Sequence, residues 1–156
     1  MRPRRPPLGL HLARTARIVS RAFDEALAEA GGSLSVWLVL LNLKTRRIAN
    51  QRELAEAVGV REATLTHHLN AMERDGLLTR RRDHVNRRIH VIELTPAGEA
   101  AFLRLREAAT AFDRRLRHRL TQGQLEQLEE LLNHLAANVG TEDHTATWPV
   151  PIENSS

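Results

Sequence analysis

The feature that most constrains this chain is a pair of short helical patterns separated by one glycine. Asn50 followed three residues later by Glu53 has the spacing of a helix start whose side chains bond the free backbone amides. Gly59 permits the tight turn that ends this first helix. A second helix is predicted over residues 61–75, up to Gly76. Two short helices joined by a glycine-containing turn form a helix-turn-helix.

A basic segment follows the second helix directly. The stretches 77–82 and 87–94 are rich in strand-forming residues and flank a polar tip at 83–86, which predicts two short strands joined by a turn. Five arginines lie within 80–88, against Asp83 as the one acid there. The sequence therefore predicts a basic β-hairpin, a wing, immediately after the helix-turn-helix.

Long helical patterns lie on both sides of this unit. The first is predicted over 8–30, and the next, capped by Ser33 or Ser35, is apolar on nearly all sides and predicted to be buried. Thr95-Pro96 opens a helix reaching about Leu120, and Thr121-Gln-Gly-Gln124 is a capping box for the last helix. The first and last helices carry more apolar residues than one small domain needs, which favours a subunit interface over closure onto the winged domain.

The outward face of the second helix has the chemistry of a base-reading surface. Leu65, Leu69 and Met72 form its buried stripe, and a rotation of about 100° per residue places a polar face opposite them. Threonine and asparagine carry donors and acceptors, and a small alanine can lie against a thymine methyl group. The predicted contact residues are Arg61, Ala63, Thr64, Thr66, His67, Asn70 and Arg74. The alternative is an ordinary solvated helix face.

The distribution of charge indicates a polyanionic partner. Residues 1–21 hold six arginines and no acid, and the wing forms a second basic block. Its arginines can project toward phosphates or into a narrow minor groove, where the negative potential is enhanced. The predicted wing contacts are Arg81, Arg82, Arg87 and Arg88. The alternative is a hairpin whose charges serve only solubility.

Composition argues against several other classes of function. The chain has no cysteine, which excludes disulfides, thiolate metal sites and cysteine nucleophiles, and its 8 histidines have no ligand-like spacing, so no metal is expected. No glycine-rich phosphate loop, serine elbow or evident catalytic carboxylate pair is present, so neither catalysis nor a cofactor is expected. No apolar run is long enough to span a bilayer and no secretory signal is evident, so a cytoplasmic location is expected.

The segment 50–98, NQRELAEAVGVREATLTHHLNAMERDGLLTRRRDHVNRRIHVIELTPAG, resembles the core of the MarR family of bacterial regulators. The matching features are the Glu-Leu-Ala start, Gly59-Val60, Thr64-Leu-Thr66, Gly76-Leu77, the arginine-rich wing and Leu94-Thr-Pro-Ala-Gly98. The resemblance covers roughly residues 8–139. Asn86 stands where the family usually has aspartate, and His68 where it usually has an aliphatic residue.

This resemblance implies a homodimer on double-stranded DNA. A recognition helix from each subunit would enter successive major grooves of a pseudo-palindromic operator, with half-sites about one helical turn apart. Family habit favours a repressor released by a small aromatic or anionic ligand between the dimer helices and the winged domain. His11, Arg14 and Trp37 would border that pocket, although Trp37 has a simpler interpretation as core. The alternative function is a winged-helix protein-interaction module without specific DNA binding.

The predicted fold is thus mainly α with a small β-hairpin wing, in which a winged helix-turn-helix domain is joined to a helical dimerisation domain. The predicted organisation is a basic flexible arm at 1–7, a dimerisation helix at 8–32, the DNA-binding domain at 33–98, dimerisation helices at 99–140 and a flexible tail at 141–156.

Overall fold

The computed structural model describes residues 6–45, 50–87 and 90–140. Six helices and one two-stranded antiparallel sheet lie in these ranges, which confirms the predicted fold class. The predicted tail and most of the predicted arm lie outside them. The elements are α1 Leu8–Glu29, α2 Leu34–Thr45, α3 Gln51–Val58, α4 Glu62–Arg74, β1 Leu78–Arg82, β2 His90–Leu94, α5 Pro96–Leu116 and α6 Gln122–Val139.

The helix-turn-helix forms as its local sequence predicts. The Asn50 side chain accepts a hydrogen bond of 2.9 Å from the backbone N–H of Glu53, which satisfies one free donor at the start of α3. Gly59 ends α3 with a φ of 76°, a left-handed conformation that glycine adopts without steric cost. Arg61 is extended, and α4 begins at the next residue.

The wing is an antiparallel hairpin that runs from Leu78 opposite Leu94 to Arg82 opposite His90. Leu78 and Ile92 are buried, so the base of the hairpin is anchored in the core. The second strand is described as His90–Leu94, and Arg87, which the sequence predicted to lie in this strand, lies in a turn instead.

Thr95 joins the base of the wing to α5. Its hydroxyl donates to the Gly76 carbonyl at 2.5 Å and accepts from the Gly98 N–H at 3.0 Å. The backbone N–H of Thr95 also donates to the Leu77 carbonyl at 3.1 Å. A Cβ atom on Gly98 would lie 1.9 Å from the Leu77 oxygen, so only glycine fits there. The Thr-Pro-Ala-Gly sequence therefore fixes the angle at which α5 leaves the wing.

One hydrophobic core extends from α1 to α5. α2 contributes more buried residues than any other described helix, in agreement with its apolar sequence. The Trp37 ring stacks on Phe102 of α5 at 5.8 Å between centroids, and Phe23 of α1 stacks on Phe112 of α5 at 4.9 Å. The largest fully buried apolar side chains are Phe102, Leu27, Leu40, Leu54, Leu65, Leu69, Met72, Leu78, Leu105 and Val39.

The end of α5 differs from the sequence prediction. The helix was expected to reach about Leu120, but it stops at Leu116. Arg119 has a φ of 64°, so the chain turns before α6 instead of continuing as a helix. Side-chain periodicity continued past this point and could not reveal a break that depends on one backbone dihedral.

α6 projects from the core without packing into it. Its capping box is complete, because Thr121 and Gln124 each accept a hydrogen bond from the other's backbone N–H. None of its 18 residues is buried. Apart from Val85 on the wing, the exposed large apolar residues of the described ranges lie on α1, α5, α6 and the α5–α6 turn: Leu8, Leu10, Leu12, Ile18, Leu103, Leu116, Leu120, Leu128, Leu131, Leu132 and Val139.

Membrane-spanning potential is weak in the described ranges. No single helix there is both long and apolar enough to cross a bilayer, and α1 with α2 meets the length and composition test only as a pair bent by 78°.

Candidate nucleic-acid interface

α4 separates its apolar and polar residues as the sequence predicts. Leu65, Leu69 and Met72 are at most 1% exposed and hold the helix against the core. Most of the predicted contact residues lie on the exposed side: Arg61, Ala63, Thr64, His67, Asn70 and Arg74. These side chains belong to a single helix and its first cap, so one rigid element presents them together.

Thr66 differs from the other predicted contacts because it is half-buried. Its hydroxyl donates to the Glu62 carbonyl at 2.9 Å and accepts from the amide of Gln51, the first residue of α3. This pair ties the two helices of the helix-turn-helix together. Sequence reasoning did not single out Gln51, since the spacing of 15 residues between it and Thr66 has no signature in a single sequence.

Arg80 on β1 is the second residue that sequence reasoning missed. Its Nη2 and Nε lie 2.7 and 3.2 Å from the Glu73 carboxylate, and its backbone N–H donates to the same side chain at 3.1 Å. Nη2 also donates to Oδ1 of Asn70. The Arg80 side chain is only 16% exposed. Because residues two apart in a strand share a face, the apolar Leu78 was a sequence signal that Arg80 lies on the inward face of β1.

These contacts change the titration of Glu73. The hydrogen bond from the Arg80 side chain, reinforced by the Arg80 backbone N–H, lowers the pKa of the Glu73 carboxyl below its ordinary value. The carboxylate therefore stays ionised into mildly acidic solution and keeps Arg80 in place. Arg80 in turn links the recognition helix, α4, to the first strand of the wing.

The wing arginines fall into distinct environments. Arg81 pairs with Glu93 across the hairpin at 2.9 Å, and this hydrogen bond lowers the pKa of the Glu93 carboxyl and raises that of the Arg81 guanidinium. Arg82 and Arg87 are exposed near the tip. Arg88 lies outside the described residues. The wing thus presents exposed positive charge on a hairpin whose first strand packs against α4.

The three predicted pocket residues lie in two environments. His11 and Arg14 are exposed on α1, where Arg14 lines a groove with Leu10, Arg17, Ile18 and Arg21. Trp37 is 8% exposed and stacked on Phe102, which agrees with its core interpretation. The assignment of a ligand pocket to these residues stays a prediction.

A helix-turn-helix with an exposed polar second helix, followed by a basic two-stranded wing, defines the winged helix-turn-helix class of DNA-binding proteins. Comparison with known proteins agrees with this class. The family model described as MarR family matches residues 33–90. Transcriptional regulator PA3341 has a solved structure that is 31% identical, with a TM-score of 0.70 over 85% of this chain and 97% of that one.

Two further solved structures are similar over most of the chain. Transcriptional regulator PA4135 is 26% identical, with a TM-score of 0.69 over 85% of this chain and 98% of that one. The transcriptional repressor CouR, bound to a 23-mer DNA duplex, is 28% identical, with a TM-score of 0.72 over 83% of this chain and 92% of that one. The chain belongs to the MarR family of transcriptional regulators.

Proposed function

We propose that this protein is a repressor that binds a pseudo-palindromic operator as a homodimer and is released by a small aromatic or anionic ligand. The observation that carries the proposal is the exposed polar face of α4 beside the basic wing. Small and hydrogen-bonding side chains on that face can approach base edges in the major groove. Arg61 and Arg74 at its two ends, with Arg82 and Arg87 on the wing, can contact the phosphates on either side.

Homodimer formation is supported by the unpartnered apolar faces of α1 and α6. The 18-residue helix α6 buries none of its leucines, so the single chain stabilises it little by apolar burial. A second copy of the chain supplies matching apolar surface. Charge supports the same pairing. The first two thirds of α1 carry Arg14, Arg17 and Arg21 without an acid, and α6 carries Glu126, Glu129 and Glu130, so this part of α1 in one subunit suits α6 of another.

Release by a ligand is supported by the lining of the α1 groove. Arg14, Arg17 and Arg21 lie there beside the apolar Leu10 and Ile18, a combination that suits an aromatic acid. A ligand that binds one spacing of the two recognition helices better than another would shift the dimer toward that spacing. A spacing that no longer matches the half-sites would release the operator, so bound DNA would represent the repressed state.

The direct test is selection of bound genomic fragments by the purified protein. We expect one palindromic motif, two chains per duplex and an affinity that falls steeply with salt. Arg87→Ala should lower the salt slope by about two per dimer, since each lost phosphate contact accounts for roughly 0.9. Arg104→Ala, which removes an exposed arginine on α5, is the matched control and should leave the slope unchanged.

The same assay separates this function from its alternative. A winged-helix protein-interaction module would show neither sequence preference nor a steep salt slope, and that result would refute the proposal. Once an operator is known, small aromatic acids can be screened for release of the DNA. Release that Arg14→Ala abolishes would support the ligand assignment, and the absence of release by any of them would count against it.

A further inference from the structure

The contact between Arg80 and Asn70 determines which hydrogen bonds Asn70 can offer to DNA. A guanidinium group carries only donors, so the Asn70 atom that faces Arg80 must be its carbonyl oxygen. The amide orientation of Asn70 is therefore fixed by chemistry. Its Nδ2 group, with two donor hydrogens, is the part left to face the groove.

Arg80 is itself held firmly enough to impose this orientation. One carboxylate oxygen of Glu73 accepts hydrogen bonds from Nε and Nη2 of Arg80, and the other accepts one from the Arg80 backbone N–H. Its side chain is also mostly covered, at 16% exposed. Asn70, by contrast, is exposed on α4. A mostly covered and ion-paired arginine thus orients an exposed amide on the neighbouring helix.

This orientation matters because asparagine can contact different bases in different ways. A free asparagine reads adenine with both groups, accepting from the N6 amino group and donating to N7. In that contact Oδ1 would have to accept from Arg80 and from the adenine amino group together, in an orientation that Arg80 already sets. Guanine instead presents two adjacent acceptors, O6 and N7, which suit an amide that only donates.

Resting on the proposed DNA binding, we propose that Arg80 is a positioning residue that commits Asn70 to donate, so that Asn70 favours guanine over adenine at one base pair of each half-site. Arg80 acts without touching that base itself. Specificity at this base pair is then set jointly by a recognition-helix residue and by a wing residue behind it.

The test is selection from a randomised DNA library, scored by the ratio of guanine to adenine at each position. Asn70→Ala identifies the base pair that Asn70 contacts, because the preference for guanine should disappear at that position in the selected sequences. Arg80→Met keeps the length of the side chain but removes the donors. It should shift the ratio at that base pair toward adenine by at least about tenfold, within the range for a bidentate contact. An unchanged ratio in a folded Arg80→Met protein, or adenine selected by the wild type, would overturn the proposal.

Arg81→Met is the matched control, since it also removes one arginine and one ion pair from β1. It should lower affinity evenly and leave the ratio unchanged; an equal shift of the ratio would overturn the proposal. Asn70→Asp provides a route that does not depend on the folding of Arg80→Met. It keeps an acceptor for Arg80 but removes the donor, so the guanine preference should be lost, and its retention would contradict the proposal.

Failure of the underlying function gives a different result. A wild-type protein that selects no sequence at all would overturn both the regulator and this inference. A wild-type protein that selects a clear operator whose guanine preference survives Arg80→Met overturns the inference alone.

Discussion

α4 and α6 are both amphipathic helices, but they are held in different ways. α4 places three side chains in the core and ties two of its polar residues, Thr66 and Asn70, to α3 and β1. α6 buries no residue, and its first turn is held by a capping box. A single chain is therefore enough to build the proposed reading surface, whereas we expect a second chain to cover the apolar face of α6.

The largest effect should come from charging the apolar face of α6. Leu128→Glu combined with Leu132→Glu would place two carboxylates in the proposed interface, where unpaired charge is costly to bury. We expect a monomer by sedimentation and at least about a 100-fold loss of operator affinity, equivalent to about 2.7 kcal/mol. Asn133→Glu adds charge on the opposite side of α6 and should change neither the dimer nor the operator affinity. A double variant that remains dimeric would show that the apolar face of α6 is not the subunit interface.

The next effect concerns stability and should be confined to the α4 side. Leu69 is fully buried, so Leu69→Ala should lower the free energy of unfolding by about 2–5 kcal/mol, measured by urea denaturation. Val85→Ala at the wing tip removes an apolar group that is 95% exposed and should change stability by less than about 0.5 kcal/mol. Equal losses in the two variants would mean that the core is not where we place it.

A smaller effect should separate DNA binding from folding. Ala63 is the second residue of α4 and is exposed, so Ala63→Glu would direct a carboxylate at the DNA. We expect operator affinity to fall by about 10- to 100-fold with little change in melting temperature, because like charges repel across the interface. Ala97 is the exposed second residue of α5, and Ala97→Glu should leave affinity unchanged. Similar losses from both variants would argue against α4 as the contact.

The smallest effect is the pH dependence carried by Glu73. Because its pKa in the folded state lies below the ordinary value of 4.5, ionised Glu73 stabilises the fold above that pH. This contribution is lost as the pH falls through the lowered pKa. The stability advantage of the wild type over Glu73→Gln should therefore shrink below about pH 4.5 in urea denaturation. When Arg80→Met is present in both proteins, the stability difference between Glu73 and Glu73→Gln should not depend on pH. A pH dependence that persists there would mean that a group other than Arg80 lowers the pKa of Glu73.

Much of the fold could be predicted because it depends on local signals. The caps at Asn50, Thr95 and Thr121 and the turn at Gly59 are encoded within four residues, and the structure has all of them. The exposed face of α4 followed from helical periodicity alone. The early end of α5 could not be predicted this way, because the left-handed dihedral at Arg119 has no sequence signal comparable to a glycine.

The site was only partly predictable, since its internal ties are tertiary. Gln51 and Arg80 contact α4 across 15 and 10 residues of sequence, and each has a side chain that could equally face solvent. The sequence analysis predicted Arg81 and Arg82 of the first strand as DNA contacts and gave Arg80 no role. In the structure Arg80 turns inward to Glu73, Arg81 pairs with Glu93, and Arg82 is exposed.

The most direct test of a paired α4 on DNA uses the absence of cysteine from the chain. His67→Cys on the exposed face of α4 can carry an iron chelate that cleaves DNA nearby, and Ala97→Cys on α5 is the control. We expect two symmetric sets of cuts in the selected operator, about one helical turn apart, from His67→Cys alone. A single set of cuts, or cleavage no different from that of Ala97→Cys, would contradict it.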